Sequence, residues 1–299
     1  MELNRFPPPA RSFFEGLQCR GDAVPVGVDI GGLVFQLECA DAQLEAELRD
    51  RYRHFPGPES EGGFRIRLLD AARRHFVPPD QVSPLARHPL SLGWEGPILL
   101  MQSFGFAGWV DLEEGKGELA LARAEFEKAP WCVENYLRVC TAWRALREGG
   151  VLLHAASLVK NGRGYIFLGA SGSGKSTLAA ISRDGEVVSD DLSLVRRKHG
   201  KFLLSGTPFR GTYQAGVPLR GDFPIAGVFR IFQAPSNRLE PCPRNHAVAD
   251  LLAAAPFVVD QLNHDERILR NLKSLDDSHP LAYLYFNLAG DFWDVLQTA

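Results

Sequence analysis

The sequence contains no Cys-x-x-Cys pair, no uninterrupted apolar run of membrane-spanning length, no internal repeat and little excess of charge of one sign. Each absence removes a class of function. The five cysteines, Cys19, Cys39, Cys132, Cys140 and Cys242, are scattered and odd in number, which suits reduced thiols in a cytosolic protein rather than a disulfide frame or a structural zinc site. A net charge of -3 over 299 residues argues against a broad nucleic-acid footprint. Residues 1–16 carry charges and three consecutive prolines where a signal peptide needs an apolar core. The expectation is a cytoplasmic, soluble protein with no membrane or nucleic-acid partner, folded throughout and long enough for about two domains.

What is present is a phosphate-binding loop. Gly169-Ala170-Ser171-Gly172-Ser173-Gly174-Lys175-Ser176-Thr177 fits G-x-x-x-x-G-K-[ST] without a mismatch. Gly172 and Gly174 let backbone N–H groups turn around a polyphosphate, Lys175 reaches β/γ oxygens, and the Ser176 hydroxyl can ligate Mg²⁺. The context agrees, since Tyr165-Ile-Phe-Leu168 reads as a buried strand and Leu178-Ala-Ala-Ile181 as the following helix.

Before the loop, Val24 to Cys39 reads as two strands about a Gly31-Gly32 turn; Asp29-Ile-Gly-Gly resembles a sugar-kinase phosphate loop, but a hairpin is the simpler reading. Asp41 caps a helix reaching about His54, Phe64 to Leu68 alternates as a strand, and Pro78 to Pro97 is a proline-rich span. Ile98 to Phe104, Gly108 to Leu112 and Glu118 to Ala122 form an antiparallel meander. A helix from Pro130 to Arg147, ended by Gly149-Gly150, carries Trp131, Tyr136 and Trp143 as packing groups. From Val151 short apolar strands follow one another, and Val151 to Val159 pairs across Asn161-Gly162 with the strand entering the loop. Helices are expected at Asn245–Ala255 and Asp265–Leu275, and a last strand at Ala282–Leu288. This divides the chain into a small α+β domain at 1–128, a connecting helix at 129–150 and an α/β P-loop domain at 151–299.

A phosphate loop alone establishes only that a phosphate binds. Asp190 and Asp191 follow the short strand Glu186-Val-Val-Ser189, about fifteen residues beyond Lys175. Two carboxylates there can divide two tasks, one taking the proton of an attacking hydroxyl and the other holding Mg²⁺. His154, inside an apolar strand, reads on residues alone as a core histidine.

His154-Ala-Ala-Ser-Leu-Val, the loop and Val188-Ser-Asp-Asp191 together resemble, in order and spacing, the HPr kinase/phosphorylase-like family. The closer likeness is to the HPr-kinase-related kinases of lasso-peptide and other ribosomal-peptide biosynthesis, and it covers about Val151 to Ala255. The resemblance implies a fold akin to phosphoenolpyruvate carboxykinase, ATP and Mg²⁺ as cofactors, and a serine acceptor on a peptide or small protein. It makes Asp190 the base, puts His154 beside the transferred phosphate, and gives Asp191 and Ser176 to Mg²⁺. Pro243-Arg-Asn-His-Ala-Val248 resembles a further stretch of that family and makes Arg244 a charge clamp; Arg210, in Thr207-Pro-Phe-Arg-Gly211, is a looser candidate of the same kind. Thr177 stands where HPr kinases usually have glutamate, which speaks against a phosphorylase back-reaction. The alternatives are a P-loop ATPase, a non-catalytic nucleotide-gated binding protein, and a small-molecule hydroxyl as acceptor. The ABC-type ATPase is disfavoured because no Leu-Ser-Gly-Gly-Gln-like signature occurs, and homo-oligomerisation is left open.

Overall fold

The computed structural model describes residues 6–17, 24–58, 62–78, 90–209, 211 and 216–296, which divide into two compact units, 1–140 and 141–299. The first unit holds β1 (Val24–Ile30), β2 (Leu33–Cys39), α1 (Ala42–Arg51), β3 (Phe64–Ala71), β4 (Ser91–Glu95), β5 (Ile98–Gln102), β6 (Phe106–Asp111) and β7 (Lys116–Ala122). The strands form one mixed sheet in the order β1-β2-β3-β7-β6-β5-β4, in which β3 runs parallel to both its neighbours. Asp29-Ile-Gly-Gly is a hairpin turn, with Gly31 and Gly32 at φ 59° and 87°, the left-handed pair that a two-residue turn demands. Asp41 caps α1 by accepting the Leu44 N–H at 2.7 Å, and the helix stops at Arg51 rather than His54. The proline-rich span conceals β4, which pairs with β5 across Gly96-Pro97; Gly96, at φ 60°, makes the hairpin that the flanking prolines hide in the sequence. Residues 79–89 of that span lie outside the described residues, as does Cys19; Cys39, Cys132, Cys140 and Cys242 are free thiols.

The helix α2 (Ala129–Arg147) crosses the division between the units. Tyr136 and Trp143 are fully buried, and Tyr136 donates to the Trp109 carbonyl at 2.8 Å. Trp131 departs from the packing role: it is 55% exposed, with the Arg51 guanidinium 4.2 Å from its ring centroid. No helix among the described residues is long and apolar enough to cross a membrane.

The second unit contains β8 (Val151–Lys160), β9 (Arg163–Leu168), α3 (Lys175–Ile181), β10 (Glu186–Ser189), β11 (Leu192–Lys198), β12 (Lys201–Ser205), β13 (Asp222–Gln233), β14 (Arg238–Pro241), α4 (Arg244–Ala253), α5 (Arg267–Ser278), β15 (Leu281–Phe286) and α6 (Trp293–Leu296). Asn161 and Gly162, at φ 53° and 72°, turn β8 antiparallel onto β9 as their order requires. β9 also pairs with β13, β13 with β12, β12 with β11 and β11 with β8, so these strands close on themselves. Inside the chain of pairings Ser193 donates to the Ala155 carbonyl and accepts from the Ser157 hydroxyl, satisfying two buried hydroxyls.

Three strands, β9, β13 and β15, run parallel, with β13 in the middle. On one face Phe167, Phe229, Ile231, Leu284 and Phe286 pack against Leu178 and Ala179 of α3 and against Phe292 and Trp293. That apolar contact fixes α3 to the sheet and thereby the loop that precedes it. The carboxyl ends of parallel strands leave the chain reversing direction at an open edge, where ligands of α/β sheets commonly bind.

Candidate functional site

The loop between β9 and α3 is shaped by its glycines. Gly172 and Gly174 lie at φ 78° and 99°, a region L side chains rarely adopt. Gly169 is required for a different reason: a Cβ there would stand 2.2 Å from the Ser173 hydroxyl, which folds back beneath it. Lys175 is 7% exposed, and its Nζ donates to the Gly169 carbonyl at 2.7 Å and the Ala170 carbonyl at 3.1 Å, so the ammonium spans the mouth of its own loop. Burial pulls the Lys175 pKa below its ordinary 10.5, and the Asp191 carboxylate only partly restores it.

The ends of β10 and β13 and the fourth residue of β8 bring the other groups to this loop. β10 ends at Ser189, whose hydroxyl accepts the Asp191 and Leu192 N–H groups and donates to the Phe209 carbonyl. The turn so formed directs two successive carboxylates differently. Asp190 is 4% exposed; its Oδ1 accepts the Gly211 N–H at 2.8 Å and its Oδ2 the Ser176 hydroxyl at 3.3 Å. Asp191 Oδ1 is 3.1 Å from Nδ1 of His154, and both side chains remain partly accessible, at 23% and 42%. The β8 backbone holds His154 in place, its N–H donating to the Ala254 carbonyl while the next residue's N–H donates to Asp191 O.

Together these groups line a cavity of about 330 Å³ formed by His154, Ser171, Gly172, Gly174, Lys175, Ser176, Thr177, Asp190 and Asp191, with Gly211 and Gln233. His154 is therefore a site residue and not a core one. Gly169, Ala170 and Ser173 shape the loop from behind without lining the cavity. Ser176 is bonded to Asp190, whereas Asp191 faces His154. The Ser189 turn buries the first carboxylate against the loop and leaves the second partly accessible.

Arg244 is not brought to the cavity. It is the exposed first residue of α4, whose opposite end, at Ala254, meets His154. Ten residues at about 1.5 Å each place Arg244 roughly 15 Å away along the helix axis. Arg210 lies outside the described residues. Gln233 and Gly211 were not singled out in the sequence; the available signal for Gln233 was its place at the end of an apolar strand, and for Gly211 there was none.

Among the described residues no group of three or more His, Cys, Asp or Glu side chains could hold a metal ion. Ser176 and Asp190 are two oxygen donors within hydrogen-bond distance of one another, the donor type that suits Mg²⁺.

No curated protein matches the chain. One protein family does, over residues 132–299, a stretch that includes every residue lining the cavity and more than half of the chain. On that match the chain belongs to the ScmC family, described as SynChlorMet cassette protein ScmC.

Proposed function

We propose that the chain is an ATP- and Mg²⁺-dependent kinase that transfers the γ-phosphoryl group to a hydroxyl, with a serine of a peptide or small protein as the acceptor. The observation that carries this reading is the meeting of two carboxylate pairs, Ser176 with Asp190 and His154 with Asp191, in one cavity with the loop lysine. A nucleotide-gated binding protein has use for the first pair but none for the second. The sequence likeness to HPr-kinase-related kinases supports the same reading, and with it a carboxykinase-like arrangement of the second unit.

In this reading Lys175 leaves the Gly169 and Ala170 carbonyls for the β- and γ-phosphate oxygens. Ser176 and Asp190 would hold Mg²⁺, which when bound supplies charge neutralisation across those phosphates. The His154–Asp191 pair accepts the proton of the attacking hydroxyl. The acceptor oxygen forms a bond to the γ-phosphorus as the bond to the β-bridging oxygen breaks, and ADP leaves with that electron pair.

The test is incubation of the protein with γ-labelled MgATP and a panel of serine-containing peptides, followed by mass analysis of peptide and nucleotide. The expected result is a phosphate mass increment on a seryl peptide matched by ADP; labelled inorganic phosphate with no labelled peptide would overturn the kinase reading in favour of an ATPase.

The pKa of Lys175 gives an independent check. Burial lowers it in the free protein, and a polyphosphate against the ammonium raises it, so nucleotide binding takes up protons only where free Lys175 has begun to lose its own. MgATP affinity should fall as pH rises through the range in which free Lys175 loses its proton. Calorimetric titrations in two buffers of different ionisation enthalpy should show proton uptake on binding in that range; affinity independent of alkaline pH would contradict the lysine's role.

A further inference from the structure

The loop is flanked on both sides by strands that pair with β9. On the β8 side stand His154 and, next to it, Asp191; on the β13 side stands Gln233. β13 pairs with β9 in unbroken register from Gly227 opposite Tyr165 to Arg230 opposite Leu168 and then continues to Gln233, past the point where β9 gives way to the loop. Phe229 and Ile231 pack in the core with Leu178 of α3, and strand alternation puts Gln233 on that same face, level with the loop. Its Nε2 lies 2.7 Å from where a Cβ on Gly174 would be, so the close approach depends on that glycine as much as the loop's conformation does. Among the described residues the carboxamide has no hydrogen-bond partner, although it lines the cavity.

The two flanks impose a direction on a bound nucleotide. The phosphoryl group to be transferred must lie toward His154 and Asp191, and in-line displacement leaves the diphosphate on the opposite side of the phosphorus. We propose that Gln233 donates its Nε2 hydrogen to an α-phosphate oxygen and is a binding residue for the nucleoside diphosphate part of the nucleotide, before and after transfer. This rests on the phosphoryl-transfer reading only in so far as the loop holds a nucleotide with its terminal phosphate toward His154.

The experiment is equilibrium binding of ADP, ATP and the separated diastereomers of ADP with sulfur on the α-phosphate, to the wild-type chain and to Gln233→Met, which keeps the side chain's length and removes its donors. A hydrogen bond to a charged phosphate is worth roughly a tenfold change in affinity. ADP and ATP should both weaken by about that factor in the variant, and the penalty that one sulfur diastereomer carries in the wild type should vanish. Loss of ATP affinity alone, or a sulfur penalty of undiminished size in Gln233→Met, would overturn the assignment. Absence of nucleotide binding by the wild type would bring down the loop reading and this proposal together, whereas binding without any transfer to a hydroxyl would leave Gln233 standing and sink only the kinase.

Discussion

Asp191→Asn is expected to lower phosphoryl transfer by roughly two to four orders of magnitude, the usual worth of a positioned general base, while MgATP affinity stays within a few-fold of the wild type. The carboxylate sits 3.1 Å from His154 Nδ1 and belongs to the open side of the cavity. Its amide replacement keeps the volume and removes the charge that the proposed proton transfer from the hydroxyl requires. Asp190→Asn should behave differently. That side chain is buried against the Ser176 hydroxyl and the Gly211 N–H, so its loss weakens Mg²⁺-dependent nucleotide binding as well as turnover. Single-turnover transfer and calorimetric binding of MgATP, measured on both variants, separate the two roles. Near-normal transfer in Asp191→Asn, with transfer lost and binding kept in Asp190→Asn, would restore Asp190 as the base and overturn the assignment argued from geometry.

The second large effect falls on Lys175. Lys175→Met removes the only lysine or arginine among the described residues lining the cavity. Charge-assisted hydrogen bonds to phosphate contribute on the order of 1.5–3 kcal/mol, so MgATP affinity should drop by about tenfold to a hundredfold. Transfer should fall further than binding does, because the developing charge on the transferred group loses its partner. The variant also deprives the Gly169 and Ala170 carbonyls of their donor, and the free protein should lose a little thermal stability for that reason. Retained nucleotide affinity in a folded Lys175→Met protein would count directly against a phosphate-binding loop.

Much of the site was legible in the sequence because its parts are local. The loop is one contiguous segment whose glycines, lysine and hydroxyl have roles set by backbone conformation, and Asn161-Gly162 declared the hairpin that places β8 beside β9. The hairpin at Gly31-Gly32 and the cap at Asp41 were readable for the same reason. Long-range pairing was not. That β13 runs parallel to β9 and carries Gln233 to the loop depends on register between segments about sixty residues apart. The different surroundings of Asp190 and Asp191 arise from the Ser189 turn, which adjacency in sequence cannot reveal. Trp131 sits on an otherwise buried helix yet faces outward against Arg51, and β4 and β14 are short strands in proline-containing stretches that offer no alternation to read. Arg244 is suggested for phosphate by a matching motif, while α4 carries it to the far end from His154.

The most direct test of phosphoryl transfer to a hydroxyl is phosphorus-31 nuclear magnetic resonance of the protein with MgATP and an accepting seryl peptide. The expected result is a phosphoserine resonance growing in step with ADP, little inorganic phosphate, and loss of the phosphoserine signal in Asp191→Asn. Inorganic phosphate equal to the ADP formed, at a rate unaffected by the peptide or by Asp191→Asn, would contradict it.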